Sequence, residues 1–245
     1  MRILEGKGVT KYFGGLAAIS NVDFEVYRGE IVGLIGPNGA GKTTLFNLIS
    51  AALVLSSGVI RFKGERISGL KPHQVCRAGV ARTFQSVKIF GNIPVLGNVL
   101  LGSLFGTSTG MSSADATREA MESLEFVGLS ALRAIPAKDL TLANQKRLEV
   151  ARALATKPEV LLLDELIAGL NPTETAQAME LVTRIRDRGI TILMIEHVMK
   201  AIMSVCDRII VLHHGEKIAE GVPQEIATNK TVVEVYLGDQ AYAGS

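Results

Sequence analysis

The chain has 245 residues, 47% hydrophobic and 20% charged, with a formal net charge of +2. At roughly 150 residues per domain this is one domain with a sizeable insertion or two small ones, and the near-balanced charge excludes an electrostatic footprint large enough to argue by itself for nucleic-acid binding. Mean hydropathy is high at +0.29, yet apolar stretches such as 160–163 and 190–195 fall far short of the ~18–20 residues a membrane-spanning helix needs.

The N-terminal Met1-Arg2-Ile3-Leu4-Glu5-Gly6 has no charged-apolar-small layout, so no signal peptide is expected. Ala18–Tyr27 and Val59–Ile67, the latter with a turn at Gly64, are expected to form a small antiparallel sheet. Between them, Ile31–Ile35 is an aliphatic run of the kind that forms a buried strand. A glycine-rich turn follows at once, then a helix over Lys42–Ala51. Strand signals vanish from about Pro94 to Ile135, where helical segments surround breaks such as Gly106-Thr107-Ser108-Thr109-Gly110. Buried strands return at Val160–Leu163, Thr191–Ile195 and Arg208–Leu212, separated by helical patterns at Pro172–Arg188 and Val198–Val205. A short hairpin after Gly215 and a helix near Thr231–Leu237 complete the chain. The alternation predicts an α/β fold, a mixed core sheet with a small antiparallel β subdomain and an inserted helical one. Cys76 and Cys206 stand far apart with no metal-ligand spacing and read as ordinary buried thiols in a reducing compartment.

Gly36-Pro37-Asn38-Gly39-Ala40-Gly41-Lys42-Thr43 fits G-x-x-x-x-G-K-[ST], with a strand before it and a helix after it. The glycines let the loop wrap so that successive backbone N–H groups, at Asn38, Gly39, Ala40, Gly41, Lys42, Thr43 and Thr44, converge on phosphate oxygens. The helix N-terminus adds partial positive charge there. Lys42 can reach the β- and γ-phosphates, and the Thr43 hydroxyl suits Mg²⁺. Val160-Leu161-Leu162-Leu163-Asp164-Glu165 is an apolar strand ending in two carboxylates. A parallel strand of this kind is expected to deliver them to the sheet edge that carries the phosphate loop. There Asp164 can hold magnesium through water, and Glu165 can orient or deprotonate an attacking water.

With these two motifs the chain resembles the ATP-binding subunits of ABC transporters, P-loop NTPases, over nearly its whole length. The resemblance implies roles for further residues. Phe13, in Lys11-Tyr12-Phe13-Gly14, matches the aromatic that stacks on adenine, with neighbouring Tyr12 as the other choice and a strand-edge core aromatic as the plain alternative. Gln85, in Ala81-Arg82-Thr83-Phe84-Gln85, matches the glutamine that links the magnesium site to the helical subdomain. Gly169-Leu170-Asn171 resembles the loop that crosses to the partner subunit, and His197 the histidine that contacts the γ-phosphate. The implied division is a first half of the nucleotide-binding core over 1–93, a helical subdomain with its signature helix over 94–155, and the second half with the C-terminal helix over 156–245.

The signature departs from the family's Leu-Ser-Gly-Gly-Gln. Here Thr141-Leu142-Ala143-Asn144 stands before the helix Gln145–Leu154. Thr141 keeps a hydroxyl and Asn144 an amide, but Ala143 places a Cβ where glycine allows close approach and positive φ. Lys146-Arg147 reads as a solvated helix face, and Leu166 stands where proline is usual. Val80–Gln85, Asn98-Val99-Leu100, Glu196-His197-Val198-Met199 and the ending Val235-Tyr236-Leu237-Gly238 resemble the LivG-type subunits of branched-chain amino acid importers. The resemblance implies an ATPase using ATP and Mg²⁺ at the cytoplasmic face of the plasma membrane. Its implied partners are a second ATP-binding chain (a heterodimer partner or another copy), two transmembrane permease subunits and, indirectly, a periplasmic or extracellular solute-binding protein. Two other readings stand beside it: a weakly catalytic, nucleotide-gated subunit paired with a more active ATPase, and a subunit for another solute.

Overall fold

The computed structural model describes residues 1–106 and 112–242. In chain order the elements begin with β1 (Arg2–Phe13), β2 (Leu16–Tyr27), β3 (Ile31–Ile35), α1 (Lys42–Ile49), β4 (Ser57–Phe62), β5 (Glu65–Arg66), α2 (Pro72–Ala78) and β6 (Val80–Arg82). There follow α3 (Val95–Phe105), α4 (Ser113–Phe126), α5 (Leu142–Leu154), β7 (Val160–Asp164), α6 (Pro172–Asp187) and β8 (Thr191–Ile195). The last elements are α7 (Met199–Val205), β9 (Arg208–His213), β10 (Glu216–Gly221), α8 (Pro223–Thr228) and α9 (Lys230–Tyr242). No helix among the described residues is long and apolar enough to cross a membrane. The chain divides into two compact units, 1–72 with 191–245, and 73–190.

The first unit contains an antiparallel sheet ordered β2-β1-β4-β5. It also carries β3 between two parallel neighbours, β8 and β9, with β10 antiparallel on β9. Every residue of β3 and β8 is buried. A strand covered on both faces needs no polar alternation, so each reads as an unbroken aliphatic run. Ile31, Val32, Leu34 and Ile35 are 0% exposed, and each such side chain contributes about 1.5–3 kcal/mol by leaving water. α1 stops two residues short of the expected Ala51, because Ala51 adopts φ 57° and turns the chain out of the helix. β1 was not expected at all. Its buried positions, Ile3, Leu4, Gly6, Val9 and Thr10, do not alternate, and register shifts along its pairing with β2 account for that.

The second unit contains the parallel pair β6 and β7, with Val80 opposite Val160 and Arg82 opposite Leu162. Around it are α2 to α6. The expected helices between 94 and 135 are α3 and α4; of the break expected between them, Thr107–Gly110 lies outside the described residues. α6 begins with a reciprocal cap: Asn171 Oδ1 accepts from the Glu174 N–H at 2.9 Å, and the Asn171 N–H donates to Glu174 Oε2 at 3.0 Å. Such caps are worth about 1 kcal/mol. Of the two cysteines, Cys206 is buried and Cys76 only half-buried, so the expectation of two buried thiols holds for one. Burial raises the Cys206 thiol to about 12, helped by Asp207 and Glu196.

Candidate functional site

In the first unit the buried strand β3 ends at a loop whose turns only glycine fits. Gly36 has φ 148°, and a Cβ there would lie 2.1 Å from the Leu212 carbonyl oxygen. Gly41 has φ 101°, and its Cβ would meet the Ala18 carbonyl oxygen at 2.5 Å. The wrap is therefore braced by β9 on one side and β2 on the other. The β9–β10 turn adds a tether that the motif does not reveal: the Gly215 N–H donates to the Ala40 carbonyl at 3.0 Å. Lys42 is 6% exposed and lies across the cup of the loop, donating from Nζ to the carbonyls of Gly36 at 2.6 Å and Pro37 at 2.8 Å. Asn38, Gly39 and Thr43 are exposed, Ala40 is buried and Thr44 half-buried. α1 carries no acidic residue in its first turn, so nothing on the helix itself offsets the positive end of its dipole. A concave run of amides, a buried ammonium and a bare helix N-terminus make this an anion cradle.

Two other predicted residues lie in the same unit. Phe13 ends β1 and is 49% exposed, and its neighbour Tyr12 is 50% exposed. The strand-edge core alternative for Phe13 therefore falls. The Lys11 ammonium stands 5.1 Å from the Phe13 ring centroid. His197 is exposed just beyond β8, after the buried Glu196.

In the second unit β7 ends at Asp164 and Glu165 follows it, the two in very different settings. Asp164 is buried, and its Oδ2 accepts from Arg82 Nη2 at 2.8 Å, while its backbone N–H donates to Thr83 Oγ1 at 3.2 Å. Glu165 is only half-buried, and its backbone turns to φ 51°, a region side chains rarely enter. Gln85 Nε2 donates to Glu165 Oε2 at 3.1 Å. Thus Gln85, expected at the magnesium site, contacts the predicted hydrolytic carboxylate. A carboxylate and an amide joined in this way can hold a water between them by accepting from it and donating to it.

The signature segment forms the start of α5. Thr141 is its N-cap, and the Thr141 hydroxyl accepts from the Asn144 N–H at 3.4 Å. Ala143 is the second residue of the helix, so the position has helical φ and does not require a positive one. The expected penalty for alanine there is corrected to one of proximity alone. Leu142 is 44% exposed, and a Cβ on Gly169 of the crossing loop would come within 3.0 Å of Leu142 Cδ2. Leu170 is half-buried, Asn171 is the cap of α6, and Leu166, in the place of the usual proline, is buried.

A second correction concerns Lys146, expected on a solvated face. It is 6% exposed, and its Nζ donates to the Glu165 carbonyl at 2.7 Å. One turn later Glu149, 4% exposed, accepts from the Lys88 N–H at 2.7 Å. Burial pushes the Glu149 carboxyl up, opposed by that hydrogen bond and by Arg152 and Lys146. Burial also pulls the Arg152 guanidinium down. The sequence reading missed Arg82, Lys146 and Glu149 as parts of this site.

The oxygen donors on the chain, the exposed Thr43 hydroxyl, the Gln85 amide and the buried Asp164 carboxylate, are of the hard kind that a magnesium ion takes. Among the described residues, no cluster of three or more His, Cys, Asp or Glu side chains is placed to hold a metal ion.

Comparison with known proteins agrees with these motifs. Residues 19–168 match the family model described as ABC transporter, and residues 216–242 match that of the branched-chain amino acid ATP-binding cassette transporter. The chain is 41% identical to the high-affinity branched-chain amino acid transport ATP-binding protein BraF of Pseudomonas aeruginosa, covering 97% of this chain and 98% of BraF. It is 40% identical to LivG of Escherichia coli, with the same coverage of 97% and 98%. A crystal structure of the ADP conformation of an ATP-binding cassette of an ABC transporter superposes with a TM-score of 0.88 at 32% identity, covering 97% of this chain and 99% of the other.

Proposed function

The chain belongs to the ABC transporter family of ATP-binding proteins, and from that premise we propose how its residues drive transport. It is an ATPase, the energy-coupling subunit of an importer for branched-chain amino acids. The observation that carries this reading is the phosphate loop, where Lys42 crosses a cup that glycine alone can form. Its amides and Lys42 hold the β- and γ-phosphates, and Phe13 stacks on adenine. Thr43, Gln85 and Asp164 would hold magnesium, whose charge would offset that of the phosphates when it is bound. Glu165 accepts a proton from the attacking water, Gln85 orients that water, and His197 donates to the γ-phosphate. As the water oxygen bonds to the γ-phosphorus, the bond from that phosphorus to the β–γ bridging oxygen breaks, and ADP leaves with its new charge met by Lys42 and the loop amides.

The single phosphate loop and single signature imply a two-chain machine. In this reading each ATP lies between the loop of one chain and Thr141–Asn144 or its counterpart in the other. The helical segment 94–155 passes the movement to two permease subunits, and the chain lies peripherally on the cytoplasmic face of the membrane. A related second ATPase is the expected partner, with the solute-binding protein meeting the permeases rather than this chain. Solute choice belongs to those other components.

The test is uptake of labelled leucine, with ATPase measured on the assembled transporter. Glu165→Gln should keep ATP binding and lose hydrolysis by ~10²–10⁴-fold, the range for a general base, while Lys42→Met should lose binding. Single-turnover hydrolysis with Glu165→Gln here and in the counterpart chain compares the two sites. Leucine uptake that survives loss of this chain overturns the transport reading. Wild-type hydrolysis by Glu165→Gln overturns the assignment of the base.

A further inference from the structure

Lys146 stands on the signature helix but turns away from solvent. A buried ammonium is costly unless its donors are used, and here the Glu165 carbonyl takes one of them at 2.7 Å. That carbonyl follows the one residue of the acidic pair with positive φ, 51°, a conformation that persists only where the surroundings fix it. Holding the carbonyl fixes the peptide plane after Glu165, and with it the direction in which the carboxylate leaves the backbone. The chain beyond the other partner in the pair is tied to the same helix. Three residues after Gln85, the Lys88 N–H donates to Glu149 at 2.7 Å, and Glu149 lies one turn along α5 from Lys146. The Glu165 end of the Gln85–Glu165 hydrogen bond is therefore fastened to α5, the helix that Thr141–Asn144 begins, and the chain three residues beyond the Gln85 end is fastened to the same helix.

We propose that Lys146 is a positioning residue for hydrolysis: through the Glu165 carbonyl it holds the Glu165 carboxylate in line with the attacking water. This rests on Glu165 acting as the general base. It has a mechanical consequence. The segment that in this reading meets the partner's nucleotide begins α5, and Lys146 of the same helix holds Glu165, so a displacement of the signature is carried to Glu165 through the Lys146 side chain.

The experiment measures kcat and KM for ATP, and nucleotide affinity, in the assembled transporter with Lys146→Met, Lys146→Arg, Glu165→Gln and the double variant Lys146→Met/Glu165→Gln. A misplacement of about 1 Å costs about 10²-fold. Lys146→Met should therefore lower kcat by about 10–100-fold with KM and ATP affinity nearly unchanged. Lys146→Arg, which keeps a cationic donor, should recover most of it. In single turnover the double variant should be no slower than Glu165→Gln alone. Unchanged kcat in Lys146→Met overturns the proposal, as does a parallel loss of ATP affinity or a full second loss in the double variant. If Lys146→Met does not assemble, Lys146→Gln, a shorter neutral donor, is read by the same criteria. An inactive Glu165→Gln beside a normal Lys146→Met sinks this proposal alone. A fully active Glu165→Gln sinks the general-base reading, and this proposal with it.

Discussion

Replacing Arg82 by methionine should be among the most destabilising changes in the second unit. The Arg82 and Asp164 side chains are 7% and 0% exposed and meet at 2.8 Å. Methionine keeps much of the arginine's volume but leaves the Asp164 carboxylate buried without its guanidinium. Removing one partner of a buried ion pair costs about 3–5 kcal/mol, because the other charge stays out of water. Against a total stability of about 5–15 kcal/mol that is a large share. At about 2–4 °C per kcal/mol it corresponds to a fall in Tm of roughly 6–20 °C. The chain has no tryptophan, so urea unfolding followed by far-UV circular dichroism is the suitable assay. Arg82→Met with Asp164→Leu removes both charges, and exchanging a whole buried pair for apolar groups is often neutral or stabilising. The double variant should therefore recover most of the loss. A loss below about 1 kcal/mol in Arg82→Met, or a double variant that loses the sum of the two singles, would refute the argument.

Three further outcomes follow from particular side chains. The Glu149 carboxyl titrates above its ordinary 4.5 in the folded chain because of burial, so its neutral form suits the fold. The associated stability is complete below about pH 4.5 and is lost as pH rises through the raised folded value. Glu149→Gln, which can still accept from the Lys88 N–H, should match wild type at pH 4 and be at least as stable at pH 8. A variant clearly weaker at pH 8 in the same urea assay would contradict this. Burial raises both thiols, that of the more deeply buried Cys206 to about 12, so Cys206 should react with iodoacetamide at pH 8 more slowly than Cys76, since only the thiolate attacks; peptide mass mapping over time gives the ratio, and equal rates would contradict this. Gly36→Ala forces a Cβ to within 2.1 Å of the Leu212 carbonyl oxygen at a φ that alanine rarely adopts. It should lower ATP affinity by at least ~10-fold, and unchanged affinity in a fluorescent-nucleotide titration would show that the loop yields.

What the sequence makes legible is what depends on neighbours along the chain. β3, β7 and β8 are visible as aliphatic runs because every position in them is buried, and the phosphate loop because its glycines, lysine and threonine are contiguous. β1 is hidden because its register shifts break the alternation by which a half-buried strand is recognised. Arg82 and Asp164 are 82 residues apart, and Lys146 and Glu165 are 19 apart. A lysine in an amphipathic helix looks like a solvent-facing residue until the carbonyl it reaches is known. Burial of a charge is a property of the pair, and the pair is not contiguous.

The signature segment joins the two kinds of information. Its unusual letters suggest a damaged site only if each position needs what the common pattern has. Placed on α5, the Thr141 hydroxyl already accepts from the Asn144 N–H as the N-cap, a task that serine would perform equally well. Ala143 sits in the first turn with helical φ, where alanine is the most favourable residue and glycine costs up to about 1 kcal/mol. Alanine at this position therefore strengthens the helix that carries Lys146 and Glu149, while Asn144 in place of glutamine works slightly the other way. The cost of the alanine is confined to how closely a phosphate can approach the Ala143 Cβ, and a stiffer α5 is the better lever if that helix sets the position of Glu165.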